Sequence, residues 1–189
     1  MLQNVKEWSD KMKTYIASPF FVEHQRNNVE TIRKQILDLG IEVFSPMHDG
    51  ILLTKGSGDR ALKNAYLGDI GGVRDADFIT AIMDYDDVNY SGDLYGDKKE
   101  IDKNRRFFGF DSGTIFEIGV AKGMGIPIIY YIPSNVKLNL MLVMAGRGFT
   151  TNIMQIGNLI RDVILENKPF IKEKYVKETL FEDKGIRYI

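Results

Sequence analysis

The sequence predicts a single-domain α/β fold, a doubly wound (flavodoxin/Rossmann-like) sheet of about five parallel strands with helices on both faces. Three observations predict it. Short apolar runs alternate along the chain with longer stretches of helical spacing. One run, Phe78-Ile79-Thr80-Ala81-Ile82-Met83, is apolar almost without interruption, as strands covered on both faces are. The 189 residues are 44% hydrophobic and 27% charged, enough for one buried core and too apolar for disorder.

The elements follow in order. Lys13-Thr14-Tyr15-Ile16-Ala17-Ser18 reads as the first strand, ended by Pro19, with residues 1–12 an N-terminal extension. Glu23 to Leu39 carries Val29, Ile32, Ile36 and Leu39 at roughly helical spacing, and Gly40 stops it. Ile41-Glu42-Val43-Phe44-Ser45 is the second strand, closed by Pro46, and a loop with Gly50, Gly56 and Gly58 follows. Asp59 is placed to cap the next helix, which gathers Ala61, Leu62, Ala65, Tyr66 and Ile70 on one side. After the third strand, residues 85–110 read as a charged inserted loop, in which Asp86, Asp87, Asp93 and Asp97 form a solvated run. Pro127 to Ile132 is the fourth strand, Asn139 to Ala145 a short helix, Phe149 to Met154 a weak fifth strand and Ile156 to Leu165 a last helix. Residues 167–189 form a charged tail, and the whole chain, 1–189, reads as one domain.

The stretch Asp111-Ser112-Gly113-Thr114-Ile115-Phe116-Glu117-Ile118-Gly119-Val120-Ala121-Lys122-Gly123 is a polar turn running into a helix. Gly113 permits a tight turn, and Gly119 and Gly123 sit one helical turn apart, where a helix can press on a sheet. Asp111 and Glu117 then stand at the mouth of a helix N-terminus. Thr114-x-x-Glu117 also fits the capping box, in which the glutamate only satisfies a backbone amide. Both readings of Glu117 stand at this point.

Several classes are excluded or disfavoured. Net charge is −1 with acids and bases interspersed, so no basic field invites nucleic acid. There are no cysteines, no apolar signal core at the start and no run long enough for a bilayer, which makes the cytoplasm the default and leaves no role for a membrane. His24 and His48 are far apart in sequence and read as helix-surface or loop residues rather than metal ligands. Met141-Leu142-Val143-Met144 reads as core or an interface face. In a doubly wound sheet the ligand sits beyond the carboxyl ends of the strands. There the chain places Ser18-Pro19-Phe20, Met47-His48-Asp49, Asp84-Tyr85-Asp86, Ser134-Asn135 and the Asp111 turn. Carboxylates with aromatics, and neither a metal nor a cofactor, suit chemistry at a glycosidic carbon through a carboxylate nucleophile.

Four motifs in order resemble the nucleoside 2-deoxyribosyltransferase family, from Tyr15 to about Met141. They are Thr14-Tyr15-Ile16-Ala17-Ser18-Pro19; Tyr66-Leu67-Gly68-Asp69-Ile70-Gly71-Gly72-Val73 followed by Asp77; Asp111 six residues before Glu117-Ile118-Gly119-Val120-Ala121; and Asn139-Leu140-Met141. The resemblance implies transfer of a 2-deoxyribosyl group between the bases of 2′-deoxyribonucleosides, by a retaining ping-pong route through a covalent ester on Glu117. It implies that Tyr15 orients that carboxylate, that Asp69 assists base protonation or holds the base, and that Asp111 and the Gly113 turn bind near the deoxyribose 5′-hydroxyl. It implies further that Asn139 and Met141 reach into a neighbouring subunit's site in a homo-oligomer, commonly a hexamer built from dimers. Substrates would be deoxyribonucleosides and free nucleobases. Asp49 is added as a base contact, and Tyr188 stands near the family's C-terminal tyrosine, although Ile189 follows it.

The insertion over 85–110 is longer than the family's short examples. The rival on the same fold is a 2′-deoxynucleoside 5′-monophosphate N-glycosidase, a hydrolase, which favours a small hydroxyl residue where this chain has Asp111. A non-catalytic nucleoside-binding module is the rival from another class, and it would tolerate loss of Glu117.

Overall fold

The computed structural model describes residues 12–84, 110–133 and 138–170. The expectations for the extension over 1–11, the insertion over 85–109, Ser134-Asn135 and the tail from 171, with Tyr188, lie outside them.

Strand β1 (Lys13–Ala17) leads through a proline turn into helix α1 (Glu23–Leu37). Gln25, in the first turn of α1, accepts the amides of Phe21 (3.0 Å) and Val22 (3.3 Å) on its Oε1, so a glutamine supplies the cap that Val22 cannot. The helix ends two residues before the expected Leu39. Gly40, at φ +81°, then reverses the chain into β2 (Glu42–Phe44). Pro46 does not open a loop but begins a four-residue helix, α2 (Pro46–Asp49). Helix α3 (Asp59–Arg74) has Gly58 as its N-cap, with Asp59 as its first helical residue. Asp59 therefore acts on the helix dipole and does not cap it.

Strand β3 (Phe78–Ile82) is buried along its whole length. It is followed by α4 (Ser112–Gly123), β4 (Ile128–Tyr131), the short α5 (Leu140–Ala145) and β5 (Gly148–Thr150). Residues after Thr150 leave the sheet earlier than expected, making a 3₁₀ turn at Ile153–Gln155. Helix α6 (Ile156–Ile160) follows, and its last turn, Arg161–Leu165, widens to π geometry.

The five strands are parallel, in the order β2-β1-β3-β4-β5. Tyr15 lies between Phe44 and Ile79, and Ile79 pairs onward with Ile128. At the amino ends, Lys13 N–H donates to Asp77 Oδ2 (2.8 Å) while Asp77 N–H donates to the Lys13 carbonyl (2.9 Å). That exchange fixes the register of β1 on β3. On one face, Tyr15, Ala17, Ile79, Ala81, Ile128 and Tyr130 pack with Val73 of α3, Ile118 and Ala121 of α4 and Val143 of α5. On the other, Ile16, Phe78, Ile82 and Ile129 pack with α1 and α6 through Val29, Ile32, Ile36, Ile156 and Ile160. Truncating a central residue such as the fully buried Ile79 to alanine would cost about 2–5 kcal/mol.

The strand order reverses between β1 and β3, so the crevice beyond their carboxyl ends is the natural binding site. Two packing expectations are corrected here. Gly119 and Gly123 do not press on the sheet, since a methyl group at either would meet open space. The apolar side expected on α3 is shielded only in part, at Ala61, Ala65 and Ile70. Gly72 and Val73 are buried, whereas Leu62 is 48% and Tyr66 54% exposed in the single chain. Ala61, Ala65 and Asp69 are half-buried and Gly72 and Val73 fully buried, so one helical stripe faces inward and its burial deepens toward the C-terminal end. No helix among the described residues is long and apolar enough to cross a membrane.

Candidate active site

Helix α4 delivers Glu117 to the crevice. Thr114, Ile118 and Ala121 are its buried positions, and Glu117 lies on that same stripe, at i+3 from Thr114. Asp111 is the N-cap. Its Oδ2 accepts both the Thr114 amide and the Thr114 hydroxyl at 2.7 Å. The capping box expected from Thr114-x-x-Glu117 is therefore not formed. Thr114 is not the cap but the residue that the cap binds, one turn short of Glu117, which leaves Glu117 free of helix-end duty. Gly113 is likewise no turn residue. It sits in the first turn of α4, where a β-carbon would come within 3.2 Å of Asp111 Oδ2.

Tyr15, from the middle of β1, donates its hydroxyl to Glu117 Oε1 at 2.6 Å. The tyrosine is fully buried, and its ring stacks on Phe44 of β2 with centroids 5.6 Å apart and planes 12° apart. Burial pushes the Glu117 carboxyl up to about 8. The Tyr15 hydrogen bond pulls it the other way, and the charges of Asp69 and Asp111 push it further up. Burial first, and then the Glu117 charge, raise Tyr15 far above the ordinary phenol range, so it remains a donor. Burial also raises Asp69, on α3. Tyr15, Asp69, Asp111 and Glu117 thus form one electrostatic unit drawn from β1, α3 and α4.

The remaining expected residues make local bonds of their own. Asp49 is exposed and spends Oδ2 on the Ser45 amide (2.9 Å), closing α2. Asn139 is the N-cap of α5, accepting the Met141 amide at 2.8 Å, and Met141 is 77% exposed.

Sequence reasoning missed Phe44 as the stacking partner of Tyr15, and Thr114 as the clamp on Asp111. The second was readable as Asp111-x-x-Thr114, an N-cap and its third residue. It also missed two features beside the crevice. His24 pairs with the buried Asp84 at the end of β3 (3.1 Å), and Phe20 stacks on Phe21 (5.4 Å) in the turn that Gln25 holds. Among the described residues no group of three or more His, Asp or Glu is placed to hold a metal ion.

Comparison with known proteins bears on the chain as a whole. The family described as nucleoside 2-deoxyribosyltransferase matches residues 14–154, most of the chain. No curated protein matches. Among solved structures, a 2-deoxyribosyltransferase from the psychrotolerant bacterium Bacillus psychrosaccharolyticus superposes with a TM-score of 0.62 at 23% identity, covering 84% of this chain and 99% of its own. A conserved protein from Enterococcus faecalis V583 superposes at 0.54 and 20% identity, over 79% of this chain and 97% of its own. At these identities the superpositions establish the fold.

Proposed function

We propose, because the chain belongs to the nucleoside 2-deoxyribosyltransferase family, that it moves a 2-deoxyribosyl group from one nucleobase to another through Glu117. The observation that carries this reading is the bond from the buried Tyr15 hydroxyl to Glu117 Oε1, which leaves the second carboxylate oxygen unused by Tyr15.

In the first half-reaction, ionised Glu117 attacks C1′ through that second oxygen. The N-glycosidic bond breaks, its electron pair leaves with the base, and the base takes a proton. Asp69 is suited to assist, since its raised affinity for protons lets it carry one nearer neutrality. In the second half-reaction, an incoming base attacks C1′ from the face that the first base left, its N–H proton passes to Asp69, and the ester bond breaks to return the Glu117 carboxylate. Two inversions give net retention. A 2-deoxy sugar lacks the electron-withdrawing hydroxyl, so its cation forms readily, and the surrounding carboxylates stabilise it.

Asp111 has its Oδ2 fixed by Thr114, which leaves Oδ1 to accept the 5′-hydroxyl of the sugar. The same charge repels a 5′-phosphate, which favours nucleosides over nucleoside monophosphates. The exposed Met141, with Asn139 at the start of α5, is offered to a neighbouring subunit's site in a homo-oligomer.

The test is incubation with 2′-deoxyinosine, with and without free adenine. Appearance of 2′-deoxyadenosine only with adenine, and its loss in Glu117→Ala, is the expected result. Release of hypoxanthine and free deoxyribose at one rate with or without adenine would make the protein a hydrolase instead.

A further inference from the structure

Helix α3 carries three glycines in its second half, Gly68, Gly71 and Gly72, and only one has a steric reason to be there. A β-carbon at Gly68 or Gly71 would meet nothing within 4 Å. At Gly72 it would lie 2.9 Å from Tyr15 Cδ2, 2.9 Å from Phe44 Cδ1 and 3.1 Å from Phe44 Cε1. Carbon atoms rest at about 3.5–4.0 Å, so either the rings or the helix would have to move.

Neither movement leaves the site intact. The Tyr15 ring is fully buried and stacked on Phe44, so displacing it withdraws the hydroxyl that reaches Glu117 at 2.6 Å. Displacing α3 instead withdraws Asp69, which sits one turn before Gly72 on the same side of the helix. We propose that Gly72 is a positioning residue for the nucleophile: its bare Cα forms, with Phe44, the slot that seats the Tyr15 ring and thereby aims Glu117. The role assigned to Glu117 comes from the proposed function; the slot itself does not depend on turnover.

Glu117 is faced by Tyr15 from β1, Asp69 from α3 and Asp111 at the head of α4, so its titration reports the seating of all three. The experiment follows the Glu117 carboxyl by ¹³C NMR, together with the pH profile of kcat/KM, in wild type, Gly72→Ala, Tyr15→Phe and the double variant. Gly71→Ala, which adds the same methyl group to the adjacent open position, is the control. Gly72→Ala should move the Glu117 midpoint upward by about 1 unit and lower kcat/KM by about tenfold, as expected on weakening a hydrogen bond to a charge. Added to Tyr15→Phe it should cost little more, because the bond it perturbs is already gone. Gly71→Ala should keep the wild-type midpoint.

An unmoved midpoint in Gly72→Ala with only a lower melting temperature, or losses that multiply in the double variant, would overturn the proposal. If Gly72→Ala does not fold, Phe44→Leu opens the same slot from the other side. An unshifted midpoint there would overturn it equally. Absence of base exchange in wild type would refute the proposed function while leaving the titration to decide the slot.

Discussion

The Tyr15 hydroxyl meets Glu117 Oε1 at 2.6 Å, joining the central region of a parallel sheet to a helix 102 positions later in the chain. The bond opposes the dominant electrostatic effect at the site. Burial drives the carboxyl towards its protonated form, and among the described residues the phenol is the one neighbour that holds it towards the ionised form. A glutamate at about 8 is only about one-tenth ionised at pH 7. The fraction that is ionised is poorly solvated and well aimed, which suits a nucleophile.

Tyr15→Phe should therefore act twice. A hydrogen bond to a charged group contributes about 1.5–3 kcal/mol, so kcat/KM with 2′-deoxyinosine and adenine should fall about 10–100-fold. With the bond gone, the Glu117 carboxyl rises further, and the acidic limb of the pH profile should shift to higher pH. Steady-state rates across pH 5–10 check both effects. A lower rate with an unmoved acidic limb would mean that Tyr15 serves the substrate and not Glu117.

Glu117→Gln should trade activity for stability in a pH-dependent way. The folded-state value of about 8 lies above the ordinary 4.5, so the carboxyl binds its proton more tightly in the fold. Its stabilising contribution is complete below about 4.5 and is lost as pH rises through about 8. Glutamine keeps the acceptor for Tyr15 and cannot ionise. At pH 9 the variant should melt about 3 °C or more above wild type, at roughly 2–4 °C per kcal/mol for a chain of this size, and at pH 4 the two should nearly coincide. Scanning calorimetry at the two pH values decides it.

The fold was legible because its signals were local. Phe78 to Ile82 has to be covered on both faces, and Gly40 and Pro46 punctuate the chain where it turns. The site was legible mostly through resemblance, since nothing local joins Tyr15 to Glu117. The two cap readings failed for one physical reason, that a neighbouring residue could do the same job. Asp111 precedes Thr114 and takes the cap, Gly58 precedes Asp59 and takes the next one, and Gly72 rather than Gly119 makes the close approach to the sheet. Spacing shows that a cap or a close contact is needed, while the local path of the chain selects the cap and the approach of α3 to β1 and β2 selects Gly72. Phe44 looked like an ordinary strand residue because its stacking partner lies on the adjacent strand.

Asp111→Ser separates the two duties of the aspartate. Serine caps helices about as well as aspartate, so the stability of α4 should fall by less than about 1 kcal/mol. The charge is lost, so the repulsion of a 5′-phosphate should be lost with it. Deoxyinosine turnover should weaken, chiefly in KM, while deoxyinosine 5′-monophosphate becomes a measurable substrate. Chromatography of released hypoxanthine from each substrate reads the ratio; an unchanged preference for the nucleoside would remove Asp111 from 5′-recognition.

The exposed apolar residues of α3 call for a covering surface. Leu62 and Tyr66 lie one turn apart, Leu67 follows, and the Tyr66 ring meets Phe116 of α4 at 6.4 Å, so the patch runs continuously across two helices beside the crevice. Exposed patches of this kind mark association sites, and a second copy of the chain would bury it while bringing partner residues to the crevice. Leu62→Asp places a charge in that patch, two helical turns from Asp69 and away from the nucleophile. Light scattering should find wild type at a multiple of the single-chain mass and the variant at a smaller one, with base exchange falling in proportion to dissociation and returning at high protein concentration. A wild-type monomer with full turnover would show that each chain completes its own site.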